Sequence, residues 1–268
     1  MMKIISYFCP FDFNYAYNHT MTIYQYQKKC YKEYKQSIKF PEQTYLYGNP
    51  VNTVVPLMAS TIGKVMVIGS FPSARLYFVN DIPDVPLYDS NAPFSTEPYF
   101  DGSRVRTSAM GQALDEMILE TIGVTREQCW LTNLVKVFLF DEDHVKKYNR
   151  LGRKDLQENR SRFIEYANRS ISWIRQEIEI ANPYVIILMG AEVVSSLLLV
   201  SQEEAREFMT GEVIEKKIIW KNSHFICLPP PALLMDRSPR NPWPRKFAIN
   251  IGPRALKEVE RLKSQPTI

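Results

Sequence analysis

Residues 183–190, PYVIILMG, form a short and almost wholly apolar run closed by a proline at one end and a glycine at the other. Such a run has no polar face, so as a strand it needs cover on both sides, which is the pattern of a parallel sheet between helix layers. VMVIG at 65–69 has the same character. Before, between and after these runs lie stretches with helical spacing, 23–40, 110–122, 161–181, 191–200 and about 244–262, with further strands expected at 130–135, 217–220 and 224–228. Strands alternating with helices predict an α/β fold, a three-layer α/β/α sandwich with a mainly parallel central sheet. Ligands of such sheets bind beyond the carboxyl ends of the strands. Those ends are Gly69-Ser70-Phe71, Thr132-Asn133 and Leu228-Pro229, so three separated segments are expected to meet at one crevice.

The 268 residues, 45% hydrophobic, are enough to bury a full core. With no Gly/Ser linker or repeat, we expect one main domain over 48–268, preceded by an aromatic and basic helical extension over 1–47 packed on it. The net charge of +4 names no partner, but its distribution is uneven: residues 236–263 carry eight Lys/Arg against Asp236, Glu258 and Glu260. Cys9, Cys30, Cys129 and Cys227 are too widely spaced for a zinc site and read as reduced, mostly buried thiols. Neither a secretory signal nor an 18-residue apolar span is visible, so a soluble, cytoplasmic chain without a membrane partner is expected. Residues 71–107 read as one long loop without periodicity, and loops of that length inside a domain are functional or disordered; FDEDHVKKYNRLGRKD, 140–155, reads as a second, charged loop.

The order VMVIGSFPS, YFDG, GQALDEMI, CWLTNLVK, ANPYVIILMGAEVVSSLL, a strand and then SPRNP resembles the uracil-DNA glycosylase superfamily over roughly residues 48–262. The resemblance implies the α/β/α sandwich, DNA as partner, and hydrolysis of the N-glycosidic bond of a flipped-out base. Extruding a nucleotide costs a few kcal/mol of stacking and pairing, so such an enzyme needs an aromatic floor, an amide that reads the base and a wedge for the vacated duplex. By resemblance Asn133 in TNLVK reads the pyrimidine edge, and Lys136 meets a phosphate or the base. The floor is Phe100 in YFDG or Phe94 in APFS, with Phe100 preferred because Gly102 follows it as in the family's Phe-x-Gly arrangement. Gly69, Ser70 and Phe71 line the pocket, and Ser73 contacts DNA.

DRSPRNP, 236–242, resembles the corresponding loop of the single-strand-selective monofunctional branch, His-Pro-Ser-Pro-Arg-Asn-Pro, matching at Ser238, Pro239, Arg240 and Asn241, which are expected on the DNA. The histidine that stabilises the leaving base in many relatives falls on Asp236 or, in a second alignment, on Pro229. Relatives also carry a carboxylate or amide just after the strand glycine, where this chain has Ser70 and Phe71. Serine is too weak a base for that work. One branch uses an Asp beside its aromatic-Gly segment, which maps to Asp101, with Glu97 second. The iron-sulfur branches place a cysteine just after the TNxVK strand, where Val137 stands, so no cluster, no metal and no other cofactor is expected. The resulting expectation is a monomeric, monofunctional DNA glycosylase for uracil or a modified base, since some relatives remove hypermodified phage bases as a defence. The alternative is a DNA-binding or modified-base-binding protein that keeps the fold without the chemistry.

Overall fold

In the computed structural model, residues 21–41, 61–72, 77–79, 82–84, 93–94, 96, 98–100, 105–107, 109–214 and 223–265 are described. Among the described residues helix α1 (Ile23–Ser37) comes first and starts on a capping box, in which Thr22 Oγ1 accepts from the Gln25 amide at 3.2 Å and Gln25 Oε1 accepts from the Thr22 amide at 2.9 Å. Then come β1 (Val65–Gly69), the hairpin β2 (Tyr77–Val79) and β3 (Ile82–Asp84), the hairpin β4 (Pro98–Phe100) and β5 (Val105–Thr107), and α2 (Met110–Ala113), which runs on as a π-helical turn, Leu114–Leu119. They are followed by β6 (Cys129–Asn133), α3 (Glu142–Arg150), α4 (Phe163–Ala181), β7 (Val185–Met189), α5 (Ala191–Leu198), α6 (Gln202–Glu207), β8 (Val213–Ile214) and β9 (Phe225–Leu228). The last elements are α7 (Pro231–Met235), α8 (Trp243–Lys246), a π-helical turn at Phe247–Ile251 and α9 (Gly252–Lys263).

The main sheet has the order β6-β1-β7-β9-β8, parallel except for the edge strand β8. Period-two alternation divides its side chains between two cores. Met66, Ile68, Trp130, Ile186 and Leu188 face α1, α4 and α5, whereas Val65, Val67, Leu131, Ile187 and Leu228 face α2 and α9. The fold is the expected three-layer α/β/α sandwich. No described helix is long and apolar enough to cross a membrane.

Two stretches differ from the sequence expectation. The charged segment after Phe140 is not a loop: Asp141 caps α3 by accepting from the His144 amide at 2.7 Å, and Tyr148 buries itself with Phe140 and Leu156 in a small separate cluster. The long loop after Phe71 contains the hairpins β2–β3 and β4–β5. The strand expected at 217–220 and the boundary expected between 47 and 48 lie outside the described residues.

One polar network sits inside the core. Glu177 of α4 is fully buried and pairs with the fully buried ammonium of Lys136, while also accepting from Tyr26 Oη at 2.5 Å and Trp130 Nε1 at 2.9 Å. Lys136 Nζ donates further to Thr132 Oγ1 at 2.7 Å and the Asn133 carbonyl at 3.1 Å, and its backbone amide donates to Tyr34 Oη at 2.8 Å. Burial keeps the Tyr26 and Tyr34 phenols well above their usual range, so both remain neutral partners. Removing one partner of a buried pair strands the other charge, at a cost of about 3–5 kcal/mol. Glu177→Gln should therefore lower the urea midpoint at neutral pH by that equivalent, and Lys136→Met with Glu177→Leu should recover more than half of the loss. Equal damage in the single and double variants would argue against a stranded charge as the cause.

Candidate active site

The crossovers from β1 and β6 leave on opposite faces of the sheet, β1 toward α2 and β6 toward α4, which opens a crevice between neighbouring strand ends. Gly69 and Asn133 are paired in register at that place. A Cβ on Gly69 would lie 2.5 Å from Phe94 Cζ and 2.6 Å from Asn133 Oδ1, so the ring and the amide converge on the space that glycine leaves open. Asn133 is 3% exposed, and among the described residues nothing hydrogen-bonds its carboxamide.

Phe94 reaches this point from a left-handed backbone, φ 59°, which a bulky residue adopts only where its surroundings hold it. Arg126 supplies the hold: Nη2 donates to the carbonyls of Phe94 at 3.0 Å and Gly111 at 3.1 Å, while Nε meets both Asp115 carboxylate oxygens at 2.8 and 3.0 Å. Thr96 Oγ1 accepts from the Gln112 amide at 3.0 Å and ties the same segment to α2. Of the two aromatics named from the sequence, Phe94 is thus placed against Gly69 and Asn133; Phe100 ends the backbone of β4. Arg126 was not singled out by the sequence, because its role depends on a carbonyl in a distant loop.

Several expected residues stand elsewhere. Lys136 does not reach DNA, because its ammonium is enclosed by Glu177, Thr132 and Asn133. Ser70 is half-buried after β1, and its carbonyl accepts from the Val135 amide at 2.9 Å. The Phe71 ring lies on the other side of the sheet from Phe94, 5.9 Å from the Phe163 ring and 4.9 Å from the Arg160 guanidinium, so it does not wall the crevice. Arg160 is in turn gripped by Glu192 at 2.5 and 2.6 Å. Asp101, Glu97 and Ser73 lie outside the described residues.

At the β9 exit Pro229 is buried, and the chain turns through α7 into the 236–242 segment. Asn241 braces this segment from within: Nδ2 donates to the carbonyls of Leu233 at 2.6 Å and Asp236 at 2.8 Å, and Oδ1 accepts from the Trp243 amide at 3.2 Å. Its amide is therefore occupied by the loop rather than offered to DNA, which corrects the sequence expectation. Asp236 Oδ1 accepts from the Ser238 amide at 2.9 Å. The braced turn leaves Arg237, Ser238, Pro239 and Arg240 exposed. Cys30 and Cys129 are pushed up to about 12 by burial and Cys227 is raised likewise, so all three are inert thiols. Among the described residues no His/Cys/Asp/Glu group is placed to hold a metal ion.

A family model for the uracil DNA glycosylase superfamily matches residues 60–251. The chain belongs to that superfamily. Comparison with curated proteins gives no match. Membership in the uracil DNA glycosylase superfamily carries, at the coarse level, a DNA glycosylase: a hydrolase that binds DNA. The match excludes α1 and α9, although Tyr26, Tyr34, Ala255 and Val259 of those helices belong to the cores.

Gly69→Ala places a methyl group where the ring and amide meet, so DNA affinity and any excision rate should fall at least tenfold, while overpacking costs about 1–3 kcal/mol of stability. Wild-type activity in that variant would show that the crevice is not used. Arg126→Gln removes the ion pair with Asp115 and frees the Phe94 turn, and should lower activity more than it lowers the thermal midpoint.

Proposed function

We propose that the chain is a monofunctional DNA glycosylase that extrudes a pyrimidine-type nucleotide and hydrolyses its N-glycosidic bond by attack of water, leaving an abasic site. The observation that carries this reading is the Asn133 carboxamide, nearly buried, unpartnered among the described residues, and set against the Phe94 ring across Gly69. An amide left open at a nearly buried strand end can take its hydrogen bonds from a ligand, and a ligand that buried it without supplying them would lose about 1–3 kcal/mol. A pyrimidine edge presents donor and acceptor side by side, and Asn answers both. The aromatic face replaces part of the stacking lost on extrusion. Arg240, with Arg237 beside it on the braced turn, suits entry at the vacated base step, and the Ser238 hydroxyl suits a phosphate.

Water activation is assigned to Asp101, which follows β4 directly in sequence, with Glu97 second. The Phe71 ring and the Ser70 hydroxyl offer no base for that step. The base removed is uracil or a modified pyrimidine such as hydroxymethylated or glucosylated cytosine, in DNA repair or in defence against phage, and the protein acts as a cytoplasmic monomer. A second reading, a binding protein for DNA or a modified base, is favoured by Phe71, which by the resemblance stands where relatives carry a carboxylate or amide, and by the absence of a histidine at both positions on which the relatives' imidazole falls, Asp236 or Pro229.

Oligonucleotides carrying uracil, hydroxymethyluracil, or hydroxymethylated or glucosylated cytosine, probed for abasic sites, test the proposal. One of them should be cleaved at the base, with Asn133→Ala and Phe94→Ala each about ten- to a hundredfold slower. Asp101→Asn should abolish excision and retain binding. Binding without an abasic product on any substrate would replace the enzyme with the second reading.

A further inference from the structure

A groove of about 460 Å³ opens between the end of α6 and the segment from α8 to α9, away from the Asn133 crevice. Arg206, Trp243, Lys246, Asn250 and Arg254 line it, and Glu207 is the acid among its described lining residues. Gly211 joins the two walls. Its φ is 81°, and a Cβ there would lie 2.2 Å from the Ile251 carbonyl oxygen, so the α6–β8 turn rests directly on the π-helical turn before α9. Because β8 runs antiparallel to β9, the residues leading into β8 stand level with the carboxyl end of β9, the sheet edge where the crevice opens.

The groove is cationic and aromatic together. Lys246 Nζ lies 5.6 Å from the Trp243 ring centroid, and Arg254 meets Glu212 at 3.2 Å in a pair more than half exposed on both sides. Arg206 and Lys246 have no carboxylate partner among the described residues. The groove also continues the braced turn, since Trp243 follows Asn241 and its amide is held by that side chain. Cations beside an aromatic floor are the combination that takes a nucleic-acid strand without regard to sequence: phosphates release counterions at the cations, and a base or sugar lies against the ring.

We propose that this groove seats a flanking nucleotide of the DNA strand, its phosphates met by Arg206, Lys246 and Arg254 and its sugar and base laid against Trp243. The proposal rests on the DNA glycosylase reading for its ligand but not for its chemistry. It makes the protein a two-point reader, with the extruded base at Asn133 and the strand held beyond the braced turn.

Anisotropy titrations over a salt series test it, using full-length protein and labelled oligonucleotides with one tetrahydrofuran abasic analogue, shortened stepwise from either end. Wild-type affinity should drop when shortening from one end empties the groove. Arg206→Gln with Lys246→Gln and Arg254→Gln should erase that length dependence and reduce the slope of log K against log salt by about 2. Arg206→Lys with Arg254→Lys, which keeps the charge, should retain both properties. Unchanged slope and length dependence in the neutralised variant would overturn the proposal, even with excision intact. Equal competition by a deoxynucleoside monophosphate would overturn the strand assignment. Groove-dependent binding by a protein that excises no base would instead remove the glycosylase reading and leave the groove standing.

Discussion

The buried pair of Lys136 and Glu177 joins three parts of the molecule that sequence keeps far apart: α1, β6 with its exit, and α4. Glu177 belongs to the long helix α4, Lys136 follows the β6 strand end, Trp130 lies within β6, and Tyr26 and Tyr34 come from α1. Burying two charges is costly unless the remaining donors and acceptors are also met, and here Glu177 accepts from three groups and Lys136 Nζ also donates to Thr132 and Asn133. The consequence for the site is direct. Lys136 grips the Asn133 carbonyl from the α4 side of the sheet while the Asn133 side chain faces Phe94 on the α2 side. The Asn133 residue is thus held by its backbone from one core while its amide is offered to the other. Helix α1, outside the family match, becomes part of the support because its tyrosines complete the network.

The central sheet was legible because its strands are buried on both faces, which leaves runs such as VIILM that no surface element would tolerate. The same logic concealed α3, whose nine residues are mostly charged and whose burial rests largely on Tyr148. The three-residue strands of the β2–β3 and β4–β5 hairpins are too short for any periodicity to register. In the site, Gly69 and Asn133 were legible because each stands at the end of an apolar run, where ligands of parallel sheets gather. Motif spacing alone left Phe94 and Phe100 as alternatives. What places Phe94 is tertiary: a missing Cβ on Gly69 and an arginine from beyond α2 that grips a strained turn. Lys136 and Asn241 misled for a common reason, since a polar side chain near a strand end or in a proline turn looks free until its internal partners are known.

Sequence departures at β1 and β9 gain a physical meaning once the faces are separated. Phe71 follows Gly69 by two residues, yet its ring turns to Phe163 and Arg160 on the α4 face, with Glu192 fixing the guanidinium from behind. An apolar ring there extends the larger core to the edge of the crevice and leaves no polar group of its own on the Asn133 side. At β9, Pro229 is buried and Pro230 packs against Gly190, a Cβ on which would lie 3.5 Å from its ring. Both strand ends therefore serve packing, and neither Phe71 nor Pro229 brings a titratable group to the crevice.

The 236–242 loop, by contrast, is braced by its own side chains. In the proposed function this turn is the wedge, and a wedge that enters a duplex must keep its shape while the DNA deforms, because a flexible turn would lose in ordering entropy what the insertion gains. Asn241 ties residues 233, 236 and 243 together through one carboxamide, and Ser238 is fixed by Asp236, so four consecutive exposed residues stand on a closed internal scaffold. Two of those residues are arginines and one is proline, so charge and shape are presented without further folding. The scaffold ends on Trp243, which packs against both cores. Through Trp243 the turn is thereby anchored to both helix layers, including the layer whose Phe94 meets Gly69 and Asn133.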